Sequence, residues 1–409
     1  MSEPRRQAPA SSQVLALRAH LDRVLAAHGA DLVGVRRRLH AHPELGRQEH
    51  RTTALVSERL RAAGLEPRPV PGSDTGLVCD IGHGDGPVVG LRADLDALPL
   101  ADDKDVPYRS TVPGVCHACG HDVHTTVLLG AGLALAGLAD TLPGRVRLLF
   151  QPAEELMPGG ALDLLRGHAA DGLDLLLALH CDPRLEVGQV GTRVGAITAA
   201  ADHVEVRLTG PGGHTARPHL TADLVYVLGK VLTEVPAGLS RLVDPRAGMS
   251  LTWGAVSAGQ APNAVPRSGW ARGGRGRGRC RAWGDAPDLV RGLVEATVAP
   301  YGAEAVLHYT RGVPPVVNDP HAVAVIEAAA EEAIGPGAAV LTEQSLGGED
   351  FAWFLEQVPG ALARLGTGTP GGQGPPLDLH SGVFDVDERA VAVGVRLLVH
   401  AALRTVRAG

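Results

Sequence analysis

Cys116-His117-Ala118-Cys119-Gly120-His121-Asp122-Val123-His124 runs directly into Thr125-Thr126-Val127-Leu128-Leu129-Gly130-Ala131-Gly132-Leu133-Ala134-Leu135. The first nine residues hold two thiols, three imidazoles and a carboxylate, the donors that divalent transition metals select. The apolar run behind them reads as a buried helix. The donors then sit at or just before its N-terminus, where the helix dipole favours a thiolate. Cys116-x-x-Cys119 alone also suits a redox pair or half of a zinc knuckle. A redox pair does not call for three interleaved histidines, and a knuckle needs a second Cys-x-x-Cys, which the chain lacks.

Short apolar runs flank this helix on both sides: Leu77 to Ile81, Pro87 to Arg92, Arg145 to Phe150 and Leu173 to Leu179. Helical periodicity covers 12–28, 31–42, Arg51 to Gly64 and Gly159 to His168. Strands alternating with helices, several of them apolar throughout, predict an α/β domain with a mixed, mostly parallel sheet flanked by helices. After about residue 198 the texture changes to a half-exposed strand (Asp202 to Gly210), a helix (Thr221 to Leu239) and a strand (Met249 to Trp253). A helix (Ala286 to Val298) and a strand (Ala303 to Tyr309) complete it, with one strand still to be found between 267 and 282. That order suits an inserted ferredoxin-like α+β domain. The pattern of the first domain resumes at Pro320 and ends in a helix from Glu388. The expected parse is a discontinuous catalytic domain, 1–198 and 312–409, interrupted by 199–311.

Composition narrows the class. A chain of 409 residues, 44% hydrophobic, has room for two cores. Its longest apolar stretch is too short to span a bilayer, and the polar start (Met1 to Ala10) has no signal-like run. Five cysteines, an odd number, argue against a disulfide framework, and together these features predict a cytoplasmic protein. A net charge of −7 argues against nucleic acid as a partner, and no membrane partner is expected. The basic residues are arginine except for Lys104 and Lys230, which suggests GC-rich coding sequence.

Open α/β sheets place their sites at strand ends. Gln151-Pro152-Ala153-Glu154-Glu155 follows one predicted strand, His180 ends another, and Leu379-His380-Ser381 lies beyond a Gly/Pro-rich loop, Gly366 to Pro376, that suits a site wall. Together with the first motif they supply Cys119, His121, Glu155, His180 and His380, enough donors for two metals sharing a water. Neighbouring glutamates diverge after a strand, so Glu155 can ligate while Glu154 acts as base and later protonates a leaving amine. Taken singly, a Glu-Glu pair is more often a solvated helix start, and His180 a histidine satisfied by backbone.

The stretch Gly114 to His124 resembles the signature of metal-dependent amidohydrolases that include hippurate hydrolases, N-acyl-L-amino-acid amidohydrolases and plant auxin-conjugate hydrolases. These are a branch of the aminoacylase/carboxypeptidase metallopeptidase family. Eight further segments fall in that family's order: Arg38 to Gly46, Leu91 to Pro99, Gln151 to Glu155, Leu179-His180, Gly212 to Ala216, Asn263 to Pro266, Gly347 to Phe351 and Leu379 to Ser381. The resemblance implies hydrolysis of N-acyl amino acids by two divalent ions (Mn²⁺, Zn²⁺, Co²⁺ or Ni²⁺). It implies that His214 stabilises the tetrahedral intermediate, in dimers from the partner subunit, that Asn263 positions substrate, and that the inserted domain dimerises. Asp94, Asp96 and Asp122 are candidates to hold a ligand imidazole by its other N–H. Alternatives are a deacetylase of a biosynthetic N-acyl intermediate, a dipeptidase, or a metal-binding homologue impaired in its inserted domain.

Two departures stand out. Cys116 takes a position where this branch commonly has methionine, so it reads as a non-ligand close enough to Cys119 for an oxidised pair. Gly269 to Trp283 carries five arginines among glycines where the family has an apolar strand. An RGG-type nucleic-acid segment is normally longer and sits in a basic chain. A short out-of-frame stretch of coding sequence fits better, and as a strand it is expected to pack poorly because glycine buries nothing.

Overall fold

The computed structural model describes residues 12–244, 248–277, 281–372 and 378–407, without the side chains of 275–283. The polar start, residues 373–376 of the Gly/Pro-rich loop and the arginine side chains beyond Arg272 in the glycine-rich segment lie outside the described residues. The chain divides into two compact units: residues 1–195, 318–343 and 353–409 form one, and 196–317 with 344–352 the other. No helix among the described residues is long and apolar enough to cross a membrane.

The first unit is built on an eight-stranded mixed sheet. Its spatial order is Arg68–Pro69, Leu77–Ile81, Arg145–Gln151, Val88–Asp94, Leu175–Glu186, Gly360–Gly368, Val190–Thr192, Ala339–Leu341. The four central strands, from Arg145–Gln151 to Gly360–Gly368, run parallel to one another. They are apolar on both faces because helices cover both, and Val88–Asp94 is buried along its whole length. The motif helix, His121–Ala136, is buried at fourteen of sixteen positions. Its glycines explain how close it lies: a Cβ on Gly130 would meet Val395 at 2.6 Å and Leu32 at 2.9 Å, and one on Gly132 would meet Leu148 at 2.7 Å.

Two sequence readings change here. The segments 12–28 and 31–42 form one helix, Ser12–Ala41, carried through Gly29 because Leu21, Leu32, Val35 and Leu39 all reach the same core. The strand expected to end at Leu179 continues to Glu186, so His180 lies within it.

The long N-terminal helix and the motif helix are joined by a buried ion pair. Arg36 Nε stands 2.8 Å from Asp122 Oδ2, and both side chains are fully buried. His40, one turn on from Arg36, contacts the same oxygen through Nδ1 at 2.8 Å. Asp122 therefore holds the imidazole of His40 and not that of the adjacent His121. Successive helical side chains diverge by about 100°, and this one faces the N-terminal helix.

The second unit is a four-stranded antiparallel sheet in the order Ser250–Ala258, Ser268–Arg277, Ala200–Thr209, Glu304–Val313, with helices Leu224–Leu242 and Arg281–Val298. This is the ferredoxin-like βαββαβ order. Its core gathers Val204, Val206, Leu208, Leu228, Val231, Val290 and Val294. Ser268–Arg277 is the strand missing from the sequence reading, and it pairs on both edges. At Gly269 the expected poor packing does not arise: Leu228 closes over the backbone so tightly that a Cβ would meet its Cδ1 at 2.7 Å. On the opposite face Arg272 lies 3.3 Å from Glu205 and 4.5 Å above the Trp270 ring.

Gly130→Val forces methyl groups into Val395 and Leu32 and should cost about 1–3 kcal/mol in urea unfolding. Gly29→Ala, where a Cβ meets nothing within 4 Å, should be neutral or stabilise by up to about 1 kcal/mol. Asp122→Asn should cost about 3–5 kcal/mol at neutral pH by leaving Arg36 buried without its counter-charge. Burial opposes ionisation of Asp122, but Arg36 and His40 outweigh it and hold the carboxyl well below the usual range. A depressed folded pKa stabilises fully above the unfolded value, about 3.9, and that stabilisation fades as pH falls below it. The gap between wild type and Asp122→Asn should therefore be widest near neutrality and narrow in acid.

Candidate active site

Gly120 sets the geometry of the motif. It has φ 86°, a conformation glycine adopts without strain, and a Cβ there would meet Cys181 Sγ at 2.8 Å. The left-handed turn puts Cys119 just ahead of the helix and His121 on its first residue. Cys119 Sγ lies 3.5 Å from His180 Nε2. His180 Nδ1 donates to the Cys181 carbonyl at 2.8 Å, so Nε2 carries the lone pair. Burial, reinforced by Arg364, pushes the pKa of His180 well down, keeping the ring neutral.

The two glutamates are presented by a turn held from behind by carboxylates. Asp96 Oδ1 accepts from the Glu154 amide and Oδ2 from the Glu155 amide, each at 3.0 Å. Glu49 Oε1 accepts from the Ala153 amide at 2.8 Å, and its other oxygen accepts from the Thr75 hydroxyl at 2.7 Å. Ala153 occupies the left-handed region at φ 55°, a strained conformation maintained by these contacts. Glu49 was missed in the sequence. It precedes a helix as countless surface glutamates do, and only its complete burial marks it.

These elements bring five predicted donors together in the first unit. Cys119, His121 and His180 offer one ligand atom each within 4.8 Å of one another, and so do Cys119, Glu155 and His380. His121 Nε2 stands 3.9 Å from both Glu154 Oε2 and Glu155 Oε1, and His380 Nε2 stands 3.4 Å from Glu155 Oε1. His380 is anchored by its amide, which donates to the Ala118 carbonyl at 2.8 Å, and it too is left-handed, at φ 60°. Both ring nitrogens of His121 and Glu155 Oε1 are buried without a hydrogen-bond partner. Orphaned donors of this kind, converging on a thiol, fit a divalent cation.

The electrostatics are those of an anionic pocket. Burial would lower the pKa of His121, but Asp94 and Asp96 raise it well above the ordinary value. Contacts with Cys119 and then Glu155 push His380 up to about 10. Burial, then Glu155, raises Cys119. Asp96 Oδ1 faces His121 Nδ1 at 3.4 Å, whereas Asp94 is 3.7 Å away and engages His124 Nδ1 at 2.6 Å and Arg92 at 2.7 Å. His124 Nε2 accepts from the Cys181 amide, so both its nitrogens are occupied. Cys116 is buried beside Lys104, with its thiol pushed up to about 11 chiefly by burial.

His214 and Asn263 lie in the second unit, side by side. Gly213–His214 pairs with Ala264–Val265, and the Thr215 amide donates to the Asn263 carbonyl at 3.3 Å. His214 Nδ1 accepts from the Ala216 amide at 3.0 Å, which leaves the proton on its Nε2.

Known proteins share this architecture. Residues 90–404 match the model of peptidase family M20/M25/M40. A Rhodococcus jostii (strain RHA1) protein, provisionally named glutamate–cysteine ligase 2-3, is 50% identical over 90% of this chain, which spans only 46% of that longer protein. The N-acetyl-L-cysteine deacetylase of Bacillus subtilis (strain 168) is 35% identical over 91% of this chain and 88% of its own length. A crystal structure of the B. subtilis protein YXEP, described as a dinuclear metal-binding peptidase of family M20, superposes with a TM-score of 0.80. It is 31% identical, covering 93% of this chain and 99% of that one. With the fold, the strand-end cluster of donors and this likeness along nearly its whole length, the chain belongs to peptidase family M20/M25/M40 and is an amide-bond hydrolase.

Proposed function

We propose that this chain removes the acyl group from N-acyl amino acids, with Cys119, His121, Glu155, His180 and His380 holding two divalent ions and Glu154 carrying the proton. One observation supports this above all: Cys119 Sγ belongs at once to a triad with His121 and His180 and to a triad with Glu155 and His380. One thiolate shared between two donor sets suits a pair of ions. Such ions would polarise the scissile carbonyl and bring the pKa of a water towards neutrality. Glu154, not needed as a donor in either triad, takes the proton of the attacking water and delivers it to the leaving amine. His214, with its proton on Nε2, suits donation to the oxyanion, and Asn263 beside it suits substrate orientation. We assign the second unit to dimerisation.

A short acyl group is favoured by the relative named as an N-acetyl-L-cysteine deacetylase. The name of the Rhodococcus relative also refers to cysteine, so N-acetyl-L-cysteine is the first substrate to test.

Protein stripped of metal and reconstituted with Mn²⁺, Co²⁺, Ni²⁺ or Zn²⁺ should release the amine from N-acetyl-L-cysteine, other N-acetyl amino acids or hippurate. Metal uptake without turnover of any of these would sink the proposal. Glu154→Gln should lower kcat by about 10²–10⁴-fold at unchanged metal content. Asp96→Asn, which disturbs His121 and the glutamate turn together, should weaken metal affinity by about 10–100-fold, read by equilibrium dialysis.

A further inference from the structure

Behind the motif, away from the five donors above, His40, Asp102 and Cys116 form a second convergence of ligand types. One donor atom from each lies within 4.8 Å of the others, and all three residues are buried. His40 Nδ1 contacts the Asp122 carboxylate at 2.8 Å, while its Nε2 has no hydrogen-bond partner and faces Asp102 Oδ2 at 3.3 Å. A carboxylate behind one imidazole nitrogen, with the other aimed at further donors, is how proteins orient a metal-binding histidine. Cys116 is fixed by reciprocal backbone hydrogen bonds with Leu98, at 3.0 and 3.1 Å. Asp102 is oriented by the amides of Lys104, at 3.1 Å, and Ser110, at 2.9 Å.

The cation now nearest this cluster is the Lys104 ammonium, 2.8 Å from Asp102 Oδ1 and 3.7 Å from Cys116 Sγ. We propose that His40, Asp102 and Cys116 form a separate site for a thiophilic divalent ion of the zinc class, taken up in exchange for the Lys104 ammonium. The exchange conserves charge. A divalent ion with the Cys116 thiolate carries the same net +1 as the ammonium it displaces. The thiol proton goes to solvent, and Lys104 keeps its own proton as it swings outward. Asp103 and Asp105 on either side of Lys104 are exposed, so the segment that carries it runs along the surface. Thiolate, imidazole and carboxylate together suit zinc, with bonds of about 2.0–2.3 Å in tetrahedral geometry, so the donors need to close by only about 1 Å. The remaining coordination position is left to water.

The test uses the full chain, reduced and stripped of metal. Zinc equivalents are measured by elemental analysis, and titration with Co²⁺ follows the near-ultraviolet thiolate-to-cobalt absorbance. Wild type should bind one more equivalent of zinc than Cys116→Met. Cys119→Ser should retain a thiolate–cobalt band that the double variant Cys116→Met/Cys119→Ser loses. Lys104→Met, which removes the competing ammonium, should tighten this equivalent by tenfold or more. These readings are differences assigned to Cys116, so they stand whether or not the five-donor cluster proves dinuclear. Equal zinc content in wild type and Cys116→Met would overturn the proposal. So would the loss of all thiolate–cobalt absorbance in Cys119→Ser, and this second result stands even if Cys116→Met does not fold.

Discussion

The candidate site depends on one buried carboxylate. Asp96 follows the strand Val88–Asp94, accepts the amides of Glu154 and Glu155 at 3.0 Å each, and faces His121 Nδ1 at 3.4 Å. A carboxylate without solvent must collect hydrogen bonds or counter-charge. Here that requirement draws together a strand end, a turn and a helix start that are remote in sequence. Glu49 adds a second hold on the same turn through the Ala153 amide. Two acidic side chains thus present two others, and the strain at Ala153 is sustained by contacts on either side of it.

Much of this was legible in the sequence, for reasons that differ by element. Leu77–Ile81 was read to the residue because an apolar run between breakers leaves a strand few alternatives. The N-terminal helix reads as two segments broken at Gly29-Ala30, since glycine weakens a helix interior. Packing of Leu21 and Leu32 into one core overrides it. His180 reads as a strand-end site residue because the apolar run stops at Leu179, but the strand continues through Asp182-Pro183-Arg184 to Glu186. Proline costs a strand only its amide. Asp122 does hold an imidazole, but it is that of His40 and not that of a predicted donor. Sequence adjacency to His121 suggested shared work, and only the rotation of the helix shows that the two side chains part company.

What the sequence could not convey is which polar residues are buried together. Glu49 and Lys104 have no motif around them, and each looks like an ordinary surface charge. Their roles arise from contacts across the fold: Glu49 with Ala153, and Lys104 with Asp102 and Cys116. A spacing rule sees ligands because ligands cluster in sequence. It does not see the groups that hold them, which come from whichever strand end or loop happens to pass behind.

The two buried polar clusters on either side of the motif differ in how they are neutralised. Arg36 and Lys104 stand against Asp122 and Asp102, so protein cations balance protein anions. In the five-donor cluster, Arg92 is committed to Asp94, and Asp96, Glu154 and Glu155 gather around His121. Arg364 bears on His180, where it helps to keep the ring neutral. Carboxylates this close together repel one another unless a cation sits between them, and the same surplus of negative charge raises the pKa of His121. The cluster on one side of the motif is an ion pair that could change its cation. The one on the other side makes physical sense as a site built to receive them.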